Sequence, residues 1–201
     1  MEQVLAALAG LGREQLALLS RLNLRRSLRI TMAPGEWETW TALGSSAQLA
    51  DSVAGLGDLA RQTPSPEALA GFIAATNAVF EAHDEAPLDS GFWPFSACRI
   101  ANMCAVALEV DASHSEDDED ESQAYASDQV DEFFEFAEQV DNEAAESAPG
   151  DEAEPTTFTD RELAFWLNAV EQLAANGEAS TTSLATAGDQ LADQYLATLQ
   201  A

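Results

Sequence analysis

Two histidines, two cysteines, eight arginines and thirty-six carboxylates are the side chains with which this 201-residue chain could do chemistry; it contains no lysine. Their spacing builds none of the common reactive arrangements. His83 is flanked by Glu81, Asp84 and Glu85, and His114 sits in the run ASHSEDDEDES. Neither has a Cys or second His at zinc-ligand spacing, and no CxxC, HExxH or ExxH pair occurs. The ExxH pair of di-iron bundles is therefore absent as well. The run Glu116–Glu121 lacks the DxDxDG spacing of a calcium loop and reads as a solvated acidic segment that gathers loose counterions. Cys98 and Cys104 stand six apart, so a helix points them away from each other; they read as small buried apolar residues. No GxSxG, GxxxxGK[ST] or GxGxxG motif is present. The chain thus offers no catalytic residue, no metal ligand set and no cofactor motif.

One polar feature interrupts an otherwise apolar stretch. In FWPFSACRIANMCAVALEV, Arg99, Asn102 and Glu109 fall within about 80° of one another at helical pitch. They are the candidate pocket residues. A stripe of this kind is most often a structural ion pair or a surface band.

The elements that would carry these residues are helical. Ala, Leu, Glu and Gln are abundant, Ile is rare, and no alternating stretch is long enough for a strand. Helices are expected over Gln3–Leu8 and Glu14–Leu28, then from Glu36 with Trp37, Trp40 and Leu43 on one side, and over Ala47–Arg61. Ser65-Pro66 is a favoured start for a helix reaching about Ala82. Pro94–Val110 is apolar on nearly every face and is the expected buried central helix. Thr159-Asp160-Arg161-Glu162 reads as a capping box opening a helix that ends at Asn176-Gly177, and a last helix spans Thr182–Leu199. The expectation is an all-α fold: one domain over 1–201, an irregular bundle of about seven to nine helices. An acidic flexible loop is expected at 112–122 and an acidic Pro/Gly-containing linker at 147–157.

The best-patterned helix is Gln123–Glu146. Val130, Phe133, Phe134, Ala137 and Val140 share one face, and Asp128, Asp131, Glu132, Glu135 and Glu138 the other. Seven like-charge pairs at i,i+3 and i,i+4 over Asp128–Glu146 cost about 1.5–3.5 kcal/mol together at low salt. Burial of each large apolar side chain returns about 1.5–3 kcal/mol, so packing wins only where the rest of the chain covers that face.

The stretch AHDEAPLDSGFWPFSACRIANMCAVALEV resembles the central motif of the YjaG-like family of uncharacterised bacterial proteins. The matching positions are Asp89, Trp93-Pro94, Ala97, Cys98 and Ala105. That resemblance covers about thirty residues and implies a helical fold of similar length without implying an activity. The acidic run Glu116–Glu121 and the Pro149–Pro155 segment depart from the family pattern.

Charge supplies the remaining expectations. The net charge is −28, and residues 111–154 hold half of all the carboxylates and no arginine. Arg13, Arg21, Arg25, Arg26 and Arg29 crowd the first 35 residues beside only Glu2 and Glu14, and are expected to pair with the chain's own acidic helices. Direct binding of nucleic acid is disfavoured, because phosphate contacts need a cationic surface. No stretch reaches the roughly 20 apolar residues of a membrane span. The absence of a signal peptide and of disulfides points to the cytoplasm. Three functional readings follow. The first is a non-enzymatic interaction protein, of immunity or accessory type, that binds a basic protein partner through Asp128, Asp131, Glu132, Glu135 and Glu138. The second is adaptation of the whole surface to a high-salt cytoplasm. The third, ranked last, is an enzyme with a pocket at Arg99. Oligomeric state is not readable from the sequence.

Overall fold

Each helix start is set by a short polar signal, and each apolar stripe then decides what the helix packs against. The computed structural model describes residues 1–33, 46–85, 93–113, 119–147 and 157–200. Among them are α1 (Glu2–Leu8), α2 (Arg13–Thr31), α3 (Ser46–Gly55), α4 (Pro66–Glu85), α5 (Trp93–Ser113), α6 (Glu119–Ser147), α7 (Phe158–Asn176), a 3-10 turn (Gly177–Ser180) and α8 (Thr181–Leu199). There is no strand among the described residues, and the fold is all-α. The expected helix with Trp37, Trp40 and Leu43 lies outside the described residues, as do His114, Asp89 and the 148–156 part of the expected linker.

At α4 the local signal works as read: Ser65 Oγ accepts the Ala68 N–H at 3.2 Å, and Pro66 takes the first helical position. At α7 it does not. The N-cap is Thr157, whose Oγ1 accepts the Asp160 N–H at 3.1 Å, and not Thr159. Thr159 is displaced by a carboxylate from another helix. Asp141 on α6 accepts the Phe158 N–H at 2.6 Å, the Thr159 N–H at 3.0 Å and the Thr159 hydroxyl at 2.8 Å. A carboxylate satisfies orphan donors at a helix N-terminus and complements its dipole. Gly177, at φ 52°, ends α7 with its N–H on the Leu173 carbonyl.

Helix α6 begins at Glu119, and α5 continues to Ser113. Both ends of the expected 112–122 loop are therefore helical, and only 114–118 lies outside the described residues.

The centre of the bundle is a pair of helices. The expected Pro94–Val110 helix is present as α5, and its most extensive packing is against α2; it also contacts α4 and α6. α2 itself reaches α5, α8, α6 and α7. It buries Leu16, Leu19, Leu22, Leu24 and Ile30 together with Arg21, Asn23 and Arg26. α5 buries Ala97, Cys98, Ala101, Cys104, Ala105 and Leu108, while Phe95, Met103 and Val106 remain half-buried along its outer side. The arginine-rich helix is thus enclosed on more sides than the apolar one.

Candidate functional site

Three places concentrate polar side chains, and they differ in burial. The innermost is Arg26. Its Nη1 donates to both oxygens of Glu162, at 3.0 and 2.9 Å, and neither side chain is more than 1% exposed. The guanidinium is held between two rings, 3.7 Å from the Phe133 centroid and 4.3 Å from that of Phe165. The Tyr195 hydroxyl donates to Glu162 Oε1 at 2.9 Å. Asn23 Nδ2 donates to Gln129 Oε1 at 3.1 Å and Gln129 Nε2 to Ser20 Oγ at 2.9 Å, extending a polar chain from α2 to α6. Burial pushes the Glu162 carboxyl up, and Arg26, Tyr195 and Trp166 pull it back. Burial likewise lifts the Cys98 thiol to about 12, and that of Cys104 further, so both are inert, unpaired core thiols. The Arg26 centre is closed to solvent and ties α2, α6, α7 and α8 in one arrangement.

The second place is the outer face of α6. Val130, Phe133, Phe134, Ala137 and Val140 are buried, as the periodicity predicts, and Ala126 and Phe136 are buried beside them. Asp128, Asp131, Glu135 and Glu138 are exposed, and Glu132 is half-buried. Only Glu132 has a cation among the described residues, the Arg99 Nη2 at 3.3 Å. The other arginines are engaged elsewhere. Arg25 grips Asp189 with Nε at 3.0 Å and Nη2 at 2.8 Å, and Arg29 grips Asp193 in the same way at 2.6 and 2.8 Å. Arg13 pairs with Asp111. Of the N-terminal arginines, Arg13, Arg25, Arg26 and Arg29 meet the chain's own acids on α5, α7 and α8, Arg25 also meets Asp58, and Arg21 instead donates to Thr63; none of them pairs with the exposed carboxylates of α6 among the described residues.

The third place is a cavity of about 560 Å³ between α4, α5 and the start of α6, lined by Phe80, His83, Phe95, Arg99, Met103 and Tyr125 among others. His83 stacks on Phe95 with centroids 4.1 Å apart. Arg99 and Asn102 both line this cavity; Glu109, two helical turns further along α5, does not. Asn102 is tied to α4 by donating to Thr76 Oγ1 at 2.6 Å, and Arg99 is 56% exposed and turned to Glu132. The stripe read as one unit therefore splits into an interhelical tie, a surface ion pair and a separate carboxylate. Among the described residues no three His, Cys, Asp or Glu side chains converge as a metal site, and no helix is long and apolar enough to cross a membrane.

No family model, no curated protein and no solved structure matches the chain. The functional reading consequently rests on the side chains themselves.

The residues missed from the sequence are those of the Arg26 centre. A signal was there: Arg26 falls on the same stripe as Leu19, Leu22 and Ile30, and Glu162 on that of Phe165, Trp166 and Ala169. A charge placed within an apolar stripe announces a buried partner, though not which one.

Proposed function

We propose that the protein is a non-enzymatic acidic helical interaction protein, of immunity or accessory type, that binds a basic protein partner in the cytoplasm. The observation that carries this reading is the outer face of α6. Asp128, Asp131, Glu135 and Glu138 stand exposed on one rigid helix with no ion-pair partner among the described residues, while Arg13, Arg25, Arg26 and Arg29 are held by other carboxylates. Like charges held at fixed helical spacing speed the encounter with a cationic surface and set its register. The two unpaired core thiols agree with a reducing compartment.

The test compares the full chain with D128N/D131N/E135Q/E138Q as immobilised bait for lysate of the source cell. A basic protein retained by the parent and lost from the variant at physiological salt is expected. Equal retention by both baits would overturn the assignment to α6.

A second reading is adaptation to a high-salt cytoplasm, favoured by the lack of lysine and by the surplus of carboxylates. Circular dichroism across a salt titration separates the two. A chain folded in dilute buffer favours the partner, and a chain that folds only near molar salt favours the environment.

A further inference from the structure

The cavity between α4, α5 and α6 has the form of a groove. Its floor is the outer side of α5, where Phe95, Met103 and Val106 are half-buried. Phe80 on α4 and Tyr125 on α6, half-buried as well, form the two walls. The α4 wall is fixed to the floor: Phe80 meets Phe95 edge to face with centroids 5.5 Å apart, and Thr76 accepts from Asn102. Phe95 to Val106 covers roughly 16 Å of α5, or three turns of a helix laid alongside it.

The groove is continuous with the acidic face of α6. Arg99 pairs with Glu132 and the Ser122 hydroxyl donates to Asp111, so α5 and α6 run antiparallel, with Met103 and Val106 level with Asp128 and Tyr125. At helical pitch Tyr125, Asp128, Glu132 and Glu135 fall within about 80° of one another. The wall that closes the groove therefore turns directly into exposed carboxylates. The groove's charged lining is Asp84, exposed on the α4 side, and Arg99; His83, which also lines it, lies flat on Phe95. Glu132 meets the charge of Arg99, so the rim keeps Asp84 on one side and Asp128 and Glu135 on the other as surplus negative charge.

That rim selects the occupant. A second copy would bring its own net charge of −28 against it, and residues 34–45, 86–92, 114–118 and 148–156 hold carboxylates and no arginine. With no strand among the described residues, no sheet edge is offered to an extended peptide, whereas a groove between helices suits the apolar face of another helix. We infer that the groove takes the apolar face of an amphipathic, basic helix of the partner, whose Lys and Arg flanks lie on Asp128 and Glu135 and on Asp84. This rests on the reading of α6 as the partner-facing surface and adds the anchor to it: the carboxylates steer the approach, and Phe95, Met103, Val106 and Tyr125 hold what arrives.

The probes are two fluorescein-labelled peptides of equal charge and about 18 residues, long enough to form a helix. One has Leu at i, i+3, i+4 and i+7 spacing with Lys between, and the other has Ala at every Leu position. Each is titrated with the full chain at physiological salt and followed by fluorescence anisotropy. The parent is expected to bind the Leu peptide about tenfold more tightly than the Ala peptide, and M103Q/V106Q to remove that preference. D128N/D131N/E135Q/E138Q should weaken both peptides by about tenfold, and by less as salt is raised. Leu-peptide binding unchanged in M103Q/V106Q strikes out the groove and leaves the α6 reading standing. Binding unchanged in the α6 variant but weakened in M103Q/V106Q strikes out the α6 reading, and with it the placement of the basic flank. Should M103Q/V106Q not fold, Y125Q on the opposite wall decides: a threefold or greater loss for the Leu peptide alone supports the groove, and no loss overturns it. A parent that sediments as a dimer, and as a monomer once M103Q/V106Q is introduced, would place a second copy in the groove and overturn the proposal.

Discussion

α2 and α6 are the two most strongly charged helices, and they handle charge in opposite ways. α2 carries five arginines and is embedded among four other helices, so four of its cations are gripped by Asp111, Asp189, Glu162 and Asp193 from distant parts of the chain. α6 carries eleven carboxylates, lays its apolar face on the core and leaves the charge of its outer face in solvent. The contrast follows from the chemistry of the two groups. An arginine can be taken inside when its planar fork meets a carboxylate and its flat faces meet aromatic rings, as Arg26 meets Phe133 and Phe165. A row of like carboxylates has no such solution within one helix. The positive charge of α2 is therefore mostly engaged within the fold, and the negative charge on the outer face of α6 is turned to solvent.

The largest test of that contrast is at Glu162. Glu162→Ala should cost about 3–5 kcal/mol in urea unfolding, since it leaves the Arg26 guanidinium buried and unpaired. The double change Arg26→Met with Glu162→Leu should recover most of the loss, because matched apolar groups need no partner there. A loss below about 1 kcal/mol for the single change would mean that α2 is not held through its charge. Next in size is the outer face of α6. D128N/D131N/E135Q/E138Q removes six like-charge pairs, among them those to Glu132 and Asp141, and should stabilise the chain by about 1–3 kcal/mol at low salt. That gain should shrink in high salt, and an equal gain at both salt levels would show that repulsion is not its source. The smallest effect belongs to Arg29→Gln. Its pair with Asp193 is half in solvent, with the side chains 44% and 52% exposed. A change within about 1 kcal/mol is expected there, and a larger one would bring Arg29 into the same class as Arg26.

What the sequence disclosed follows the reach of each interaction. Ser65-Pro66 was legible because a cap bonds only three residues along the chain. The apolar stripe of α6 was legible because helical period alone sorts Val130, Phe133, Ala137 and Val140 to one side. Thr159 was misread because both Thr157 and Thr159 precede an acidic residue by three positions, and Asp141, 18 residues before Thr159, decides between them. On α7, likewise, Leu163 and Leu167 are only half-buried, while Glu162 takes a core position against Arg26. Arg99, Asn102 and Glu109 share a side of α5, but different neighbours claim them. Periodicity gives the side of a helix a residue occupies, and only the fold gives what stands opposite.

The Asp141 contact also bears on how the chain can be rearranged. It fastens the first turn of α7 directly to α6, so the placement of these two consecutive helices does not rely on the backbone that joins them. Loop closure grows more costly only slowly with length, by about 0.6 kcal/mol per doubling. What fastens the start of α7 to α6 is thus a single carboxylate and three hydrogen bonds, a contact that a change in the length of the connecting sequence would leave in place.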